Sequence, residues 1–263
     1  MLRSVLIFLC FSFLLFSCTT ENKETPAASS TDSVKANNIP FTNSTSPTIQ
    51  DTISPHSISQ SEIPSGMSFN GDIYSTYSWY DKNGRNILIL STKTFSVMDK
   101  DYGGEEKSKE LMAKLWVKRP GQVPELLWNL FDVQKKCVFD LTLDLVTSPD
   151  ISDADNNGIK EVYILYKTSC RSDAYPSNMK LIGHEGKQKF ALRGLMVFRF
   201  NDFPDSLFAD GRELDLSKIS EEELKNSAMR EYGCYENTND LKNVNSAIAE
   251  HAKDFWRNNI MEN

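Results

Sequence analysis

Short apolar runs separated by turn residues, between residues 72 and 200, constrain the fold of this chain more than any other feature. Apolar and polar residues alternate in "DIYSTYSWYD" (72–81), and a second run, "NILILSTKTFSV", begins at residue 86. The tetrad between them, Asp81–Gly84, has the composition of a hairpin turn. Alternation with a period of two is typical of strands that bury one face, so the sequence predicts antiparallel strands here.

The same pattern of strands and turns continues beyond residue 100. Turn residues recur at Pro120–Gly121 and at Gly186, where they separate further strand-like runs. These runs cover residues 111–119, 124–133, 137–146, 161–170, 179–185, 187–194 and 195–200. We therefore expect antiparallel strands to make up most of the domain.

The end of the chain changes to a helical period. Ser220 and Glu223 have the spacing of a capping box, which marks the start of a helix. Between residues 240 and 260, one helical face collects the apolar side chains of Leu241, Val244, Ile248, Ala252, Phe255 and Trp256. The predicted fold is α+β: a mainly antiparallel β domain with one or two C-terminal helices.

Residues 1–17 have the features of a secretory signal. Arg3 precedes an apolar run from Ser4 to Ser17, which is shorter than the roughly 20 residues needed to cross a bilayer. The ending "LFSC" resembles a bacterial lipobox, which implies cleavage before Cys18 and lipidation of its sulfur. An ordinary signal with another cleavage site is the alternative. We expect an exported protein anchored by lipid to the outer membrane, on its periplasmic or surface face.

The segment that follows the signal has a different composition. Residues 18–65 are rich in Ser, Thr, Asn and Pro and have no apolar period, so we expect a disordered tether before a single domain at 66–263. The triplets that contain Ser33, Thr52 and Ser206 resemble the Asp-Ser/Thr-aliphatic pattern of O-glycosylation in Bacteroidetes. These three residues are therefore candidate glycosylation sites.

Charge and motif content exclude several classes of function. The formal net charge is −7, and it becomes −8 without the signal, which holds one basic and no acidic residue. An acidic chain of this kind argues against nucleic acid as a partner. No H-E-x-x-H, C-x-x-C, phosphate-loop or G-x-S-x-G motif occurs. We expect a protein that is not an enzyme, although the paired carboxylates of a glycan-acting enzyme would leave no local signature.

The segment "DADNNGIKE", which begins at Asp153, is the clearest candidate for a binding site. Asp153, Asp155, Asn157 and Glu161 follow the pattern D-x-D-x-[DN]-G-x-x-[DE], and hard cations such as Ca²⁺ prefer oxygen ligands of this type. The twelfth position is Ile164, so the segment is not an EF-hand. We expect a structural calcium loop, and a metal-free polar turn is the alternative.

The cysteines of the domain offer one candidate disulfide. If 137–146 and 161–170 form a hairpin with Val146 opposite Glu161, Cys137 falls opposite Cys170, close enough for a bridge. Export favours the disulfide, and two reduced cysteines are the alternative. The third cysteine, Cys234, would be left over.

Residues 137–194 carry a resemblance to a known family. The segments "CVFDLTLD", "ISDADNNGIKEVYILYKTSCRSD" and "PSNMKLIGHEGKQKFALRG" resemble lipoproteins of flavobacteria and their relatives that are named for surface polysaccharide biosynthesis. The positions that match the family's marked residues are Asp153, Asp155, Glu161, Cys137, Cys170 and the run Met179–Gly194. The resemblance implies a lipoprotein that supports surface polysaccharide or lipopolysaccharide assembly, with a surface glycan or assembly proteins as partners. A glycan-acting enzyme or a glycan-binding protein at the cell surface is the alternative.

Overall fold

The computed structural model of the protein describes residues 54–98, 103–198, 214–226 and 229–262. Antiparallel sheets make up most of these residues, and the few helices lie near the C-terminus, which confirms the predicted β-rich domain. In the described part of the chain, no helix is long and apolar enough to span a bilayer.

The predicted signal at 1–17 lies outside the described residues. The same holds for the predicted lipidation site Cys18 and for the candidate glycosylation sites Ser33, Thr52 and Ser206. These expectations stay predictions.

The first sheet contains five strands in sequential order. They are β1 (His56–Ser57), β2 (Asp72–Asp81), β3 (Gly84–Met98), β4 (Glu105–Lys118) and β5 (Glu125–Cys137). The predicted hairpin between β2 and β3 is present, because Asp81 pairs with Gly84 across a turn of two residues. Only glycine suits position 84, where φ is 120° and an added Cβ would lie 2.8 Å from the Lys118 carbonyl oxygen.

The second sheet is built around its longest strand. Its strands are β6 (Asp140–Leu145), β7 (Asp150–Ser152), β8 (Glu161–Arg171), β9 (Asn178–Glu185) and β10 (Gln188–Leu195). They lie in the order β10-β9-β8-β6, and β7 also pairs with β8. A short parallel pair, β11 (Val197–Phe198) with β12 (Met261–Glu262), follows.

The predicted hairpin of 137–146 with 161–170 is wrong in its register. Leu141 lies opposite Cys170, four residues from the predicted partner. The segment 137–146 is not one strand: β5 ends at Cys137 in the first sheet, and β6 begins at Asp140 in the second. The exposed residues Val138 and Phe139 carry the chain from one sheet to the other. Because the strand-like composition continues through this crossing, the sequence alone did not show it.

Three apolar clusters hold these layers together. The two sheets pack face to face through a cluster that includes Trp79, Leu90, Trp128 and Ile164. The far face of the second sheet is covered by the C-terminal segments, which form a cluster with Tyr163. Since β8 is buried on both faces, its first half is a continuous apolar run rather than an alternating one.

Several residues before position 66, which the sequence analysis assigns to the tether, contact the first sheet. His56 pairs with Ser78 of β2, and the Thr76 hydroxyl donates a hydrogen bond to the carbonyl oxygen of Ile58. Ile58 is buried against the outer face of the first sheet, and Ile63 packs on the same cluster. These isolated apolar residues lack a period, so composition alone placed them in the tether.

The C-terminal helices follow the predicted signals with shorter bounds. The capping box of Ser220 and Glu223 is present at the start of α1 (Glu221–Asn226). α2 (Ser246–Arg257) is shorter than the predicted face from 240 to 260, because Asn245 caps it by accepting a hydrogen bond from the Ala247 amide. The predicted apolar face is buried at Ile248, Ala252 and Trp256, while Leu241 is buried within a separate 3₁₀ turn.

Candidate metal centre

The Asp153–Glu161 loop joins β7 to β8, and Ser152 pairs with Glu161 where the two strands meet the loop. The Gly158 amide donates to Asp153 Oδ2 at 2.9 Å, which folds the loop back on its first residue. Gly158 has a φ of 85°, and an added Cβ would lie 2.5 Å from Lys82 Cε. The positive φ of the turn therefore favours glycine at this position, whereas the flexible end of Lys82 could move aside.

The three acidic residues of the predicted loop converge. One carboxylate oxygen from each of Asp153, Asp155 and Glu161 lies within 4.8 Å of the other two. A backbone amide holds each of these groups: besides the bond from Gly158 to Asp153, Ala154 N–H donates to Glu161 Oε2 at 2.7 Å and Asn157 N–H donates to Asp155 Oδ1 at 3.1 Å. The loop thus places three carboxylates within the reach of one cation.

Two oxygens of this cluster are buried without a hydrogen-bond donor. Glu161 is 0% exposed, and neither its Oε1 nor Asp153 Oδ1 accepts a hydrogen bond from any residue in the described ranges. A buried carboxylate oxygen that accepts no hydrogen bond is costly, and a proton or a cation bound to it would compensate the charge. This is the strongest sign that the loop receives a ligand.

The electrostatics of Glu161 agree with this reasoning. Burial raises the pKa of Glu161 to about 7, and the negative charges of Asp155, Glu185 and Asp153 add to the effect. The hydrogen bond from the Ala154 amide acts in the opposite direction. Near neutral pH, a cation at this loop would therefore compete with a proton on Glu161.

Asn157 was predicted to be a ligand, and the structure gives its side chain a different arrangement. Its Oδ1 accepts the Ile159 amide at 2.8 Å, while its Nδ2 donates to Asp155 Oδ2 at 3.1 Å and to Glu185 Oε1. The amide therefore points its donor, not its oxygen, at the carboxylates. In this geometry Asn157 orients Asp155 rather than offering an oxygen to a cation.

Glu185 is a member of the cluster that sequence reasoning missed. It lies at the end of β9, and the pairing of Val162 with His184 brings it next to the start of β8. In the sequence, all of β8 separates Glu185 from the loop. Its position beside the loop could therefore be predicted only by knowing how β8 pairs with β9. The approach of Glu185 adds negative charge that a cation would neutralise.

The structure joins Cys137 and Cys170 in a disulfide, with 5.5 Å between their Cα atoms. The reason differs from the predicted one, because the bridge links β5 of the first sheet to β8 of the second. Cys234 is a buried thiol that donates to the Arg230 carbonyl at 3.3 Å.

A second polar cluster, which the sequence analysis did not predict, contains Asp150, Ser152 and His251. His251 Nε2 lies 2.5 Å from Asp150 Oδ2 and 3.3 Å from Ser152 Oγ. A nucleophilic triad needs the acid and the hydroxyl on opposite ring nitrogens, whereas both use Nε2 here. The cluster joins α2 to β7, and its geometry does not activate the serine.

No protein-family model matches the chain, and no curated protein or solved structure is similar enough to count as a relative. The argument for a metal centre therefore rests on the residues of the site.

Proposed function

We propose that the Asp153–Glu161 loop binds Ca²⁺ through the carboxylates of Asp153, Asp155 and Glu161. The observation that carries this proposal is the pair of buried oxygens, Asp153 Oδ1 and Glu161 Oε1, that accept no hydrogen bond within the described residues. The ligand set contains oxygen only, which favours a hard cation over zinc or copper. A loop with one glycine turn suits the flexible coordination of Ca²⁺ better than the strict octahedron of Mg²⁺.

The calcium site belongs, in this proposal, to an exported lipoprotein that is not an enzyme. The lipobox-like "LFSC" ending at Cys18 and the Ser/Thr-rich segment that follows it support the lipid anchor. A cysteine pair close enough to bridge, Cys137 and Cys170, suits an oxidising compartment. The resemblance of residues 137–194 supports a role in surface polysaccharide or lipopolysaccharide assembly, with a glycan or assembly proteins as partners.

Thermal unfolding tests the calcium site directly. Extracellular calcium modules bind with dissociation constants of about 10⁻⁴–10⁻³ M, so about 1 mM calcium should stabilise the folded state by roughly 0.4–1.4 kcal/mol. The melting temperature should then rise by about 1–6 °C when calcium replaces a chelator. Magnesium at the same concentration should give a smaller shift, because it keeps its waters.

A matched pair of variants identifies the ligands. Asp155→Asn should abolish the calcium shift, whereas Asp173→Asn, at an exposed aspartate in the connection between β8 and β9, should keep it. A full shift in Asp155→Asn would mean that the loop is only a polar turn.

The anchor and the cellular role have separate tests. Cys18→Ala should release the protein from the membrane fraction, and a mutant that stays membrane-bound after cleavage of its signal would contradict the lipid anchor. A deletion strain should show altered lipopolysaccharide on gels and altered surface labelling. An unchanged surface would argue against the proposed role in assembly.

A further inference from the structure

We propose that calcium at the Asp153–Glu161 loop acts as a clamp between the two sheets, by holding the β2–β3 turn of the first sheet. This inference rests on the proposed calcium site and adds what the ion controls. The loop belongs to the second sheet, because it connects β7 to β8, whereas the turn, residues 81–84, belongs to the first.

Three polar contacts cross between the loop and the turn. The Lys82 amide donates to the Gly158 carbonyl oxygen at 3.0 Å, and the Lys82 ammonium donates to the carbonyl oxygen of Asn157. In the opposite direction, the Lys160 amide donates to Asp81 Oδ2 at 3.3 Å. The loop residues that make these contacts lie between the proposed ligands Asp155 and Glu161, so the same short segment serves both the ion and the turn.

Asp81 of the turn also forms a hydrogen bond with a residue of the core between the sheets. Asp81 Oδ1 accepts the Asn83 amide at 2.8 Å, and Asp81 Oδ2 accepts Trp79 Nε1–H at 3.1 Å. Trp79 is 0% exposed in the cluster that joins the two sheets. A loop that moves away from the turn would therefore remove polar partners next to the inter-sheet core.

The loop also holds the start of α2. Asn245 Nδ2 donates to Asp155 Oδ2 at 3.1 Å, while Asn245 Oδ1 accepts the Ala247 amide as the helix cap. One ligand carboxylate thus contacts the first turn of the helix that covers the second sheet.

Charge explains why the ion would control this clamp. Oxygens of the Asp153, Asp155 and Glu161 carboxylates lie within 4.8 Å of one another, so these groups repel one another when they are ionised and no cation is bound. Moving apart would lower their electrostatic free energy. Movement of Asp155 or Glu161 would pull on residues 157–160 and so weaken the cross-sheet contacts that these residues make. A bound cation removes the repulsion and so favours the closed contact with Lys82.

Hydrogen exchange on the purified full chain tests the clamp, with calcium alone as the probe. At about 1 mM calcium, exchange of the Lys82 amide should slow by about 2- to 10-fold relative to chelator, the ratio expected for the dissociation constants of extracellular sites. The Gln122 amide provides a control, because it bonds to the Arg119 carbonyl within the β4–β5 turn and should not respond.

Two substitutions at Lys82 separate the cross-sheet hydrogen bond from the charge. Lys82→Ala and Lys82→Pro both remove the ammonium, but only proline removes the amide donor. Proline suits this position, because Asp81 before it is extended and Lys82 is not among the residues with positive φ. By linkage, calcium should bind Lys82→Pro about 2- to 10-fold more weakly than Lys82→Ala, as measured by calorimetry.

The outcomes distinguish this inference from the proposed function. If calcium binds and shifts the melting temperature, but the Lys82 amide exchanges at the same rate or the two variants bind equally, the clamp is wrong and the site stands. If calcium binds nowhere, the proposed function fails and the clamp fails with it. Slower exchange together with weaker binding by Lys82→Pro supports both.

Discussion

The two ends of β8 each connect the second sheet to the first, and they do so by different chemistry. At its start, the Asp153–Glu161 loop makes polar contacts with the turn at 81–84. Near its end, Cys170 is bonded covalently to Cys137 of β5. Cys170 lies nine residues after Glu161 along β8, so the two connections are about 30 Å apart at about 3.3 Å per residue.

The difference lies in what each connection responds to. The disulfide restricts the unfolded chain and depends only on the redox state of the compartment. The loop end concentrates buried carboxylates, so its stability depends on protons and cations. One connection between the sheets is therefore covalent, while the stability of the other depends on the pH and the cations of the solution.

Removing the disulfide should have the largest effect. The bridged residues are 33 positions apart, and a loop of this length corresponds to about 3–4 kcal/mol in the chain-entropy treatment. The variant Cys137→Ala/Cys170→Ala should lose that much stability and melt about 7–14 °C lower by calorimetry. An unchanged melting temperature, or peptide mapping that finds both thiols free in the wild type, would show that no disulfide stabilises the contact between the two sheets.

Replacing Glu161 by a neutral residue should change how the stability of the loop connection depends on pH. Its pKa is about 7 in the folded state against an ordinary value of 4.5, so the folded protein binds the proton more tightly. The associated stability is present below pH 4.5 and is lost as the pH rises through 7. In chelator, Glu161→Gln should match the wild type at pH 4.5 and exceed it by about 3 kcal/mol at pH 8 in denaturant unfolding. Equal stability at both pH values would show that the buried carboxyl carries no such penalty.

His184, beside the loop end, should produce the opposite pH dependence. It stacks on Trp128 between the sheets, with 4.2 Å between ring centroids. Burial, helped by the charge of Lys189, lowers the pKa of His184 to about 4 from 6.5. A lowered histidine pKa contributes stability above pH 6.5 that is lost as the pH falls through 4.

The variant His184→Phe keeps an aromatic ring against Trp128 and cannot titrate. Measured on the Glu161→Gln background, which removes the opposing carboxyl, His184 should account for about 2 kcal/mol of lost stability between pH 6.5 and 4.5. His184→Phe should remove that loss. If both proteins lose the same stability in this window, the histidine does not titrate as the structure implies.

Asn157 gives the smallest expected effect and tests how the loop is organised. Its amide donates to Asp155 and Glu185, so Asn157→Asp replaces two hydrogen bonds by repulsion. In chelator at pH 7.5, this variant should lose about 1 kcal/mol of stability. Glu185→Gln, which removes charge from the same place, should gain a few tenths of a kcal/mol. A markedly tighter calcium affinity in Asn157→Asp would instead identify position 157 as a ligand.

Local patterns in the sequence were enough to predict the local structure. The alternation in 72–81 and the turn at 81–84 predicted the first hairpin, because side chains on a strand with one buried face repeat every two residues. The Ser220–Glu223 capping box and the convergence of Asp153, Asp155 and Glu161 also follow from spacing over a few residues. In each of these cases, neighbours along the chain supply the interaction.

Only the tertiary structure decided which segments share a sheet. Strand composition is the same on both sides of Val138–Phe139, so nothing local marks the chain's passage between sheets, and the predicted register of β6 against β8 was four residues off. Strand pairing places Glu185 beside the loop and Lys82 against Gly158. The spacing of residues in the sequence does not indicate these pairings. The physical reason is that long-range pairing is selected by the burial of whole faces, to which each residue contributes only a small part of the free energy.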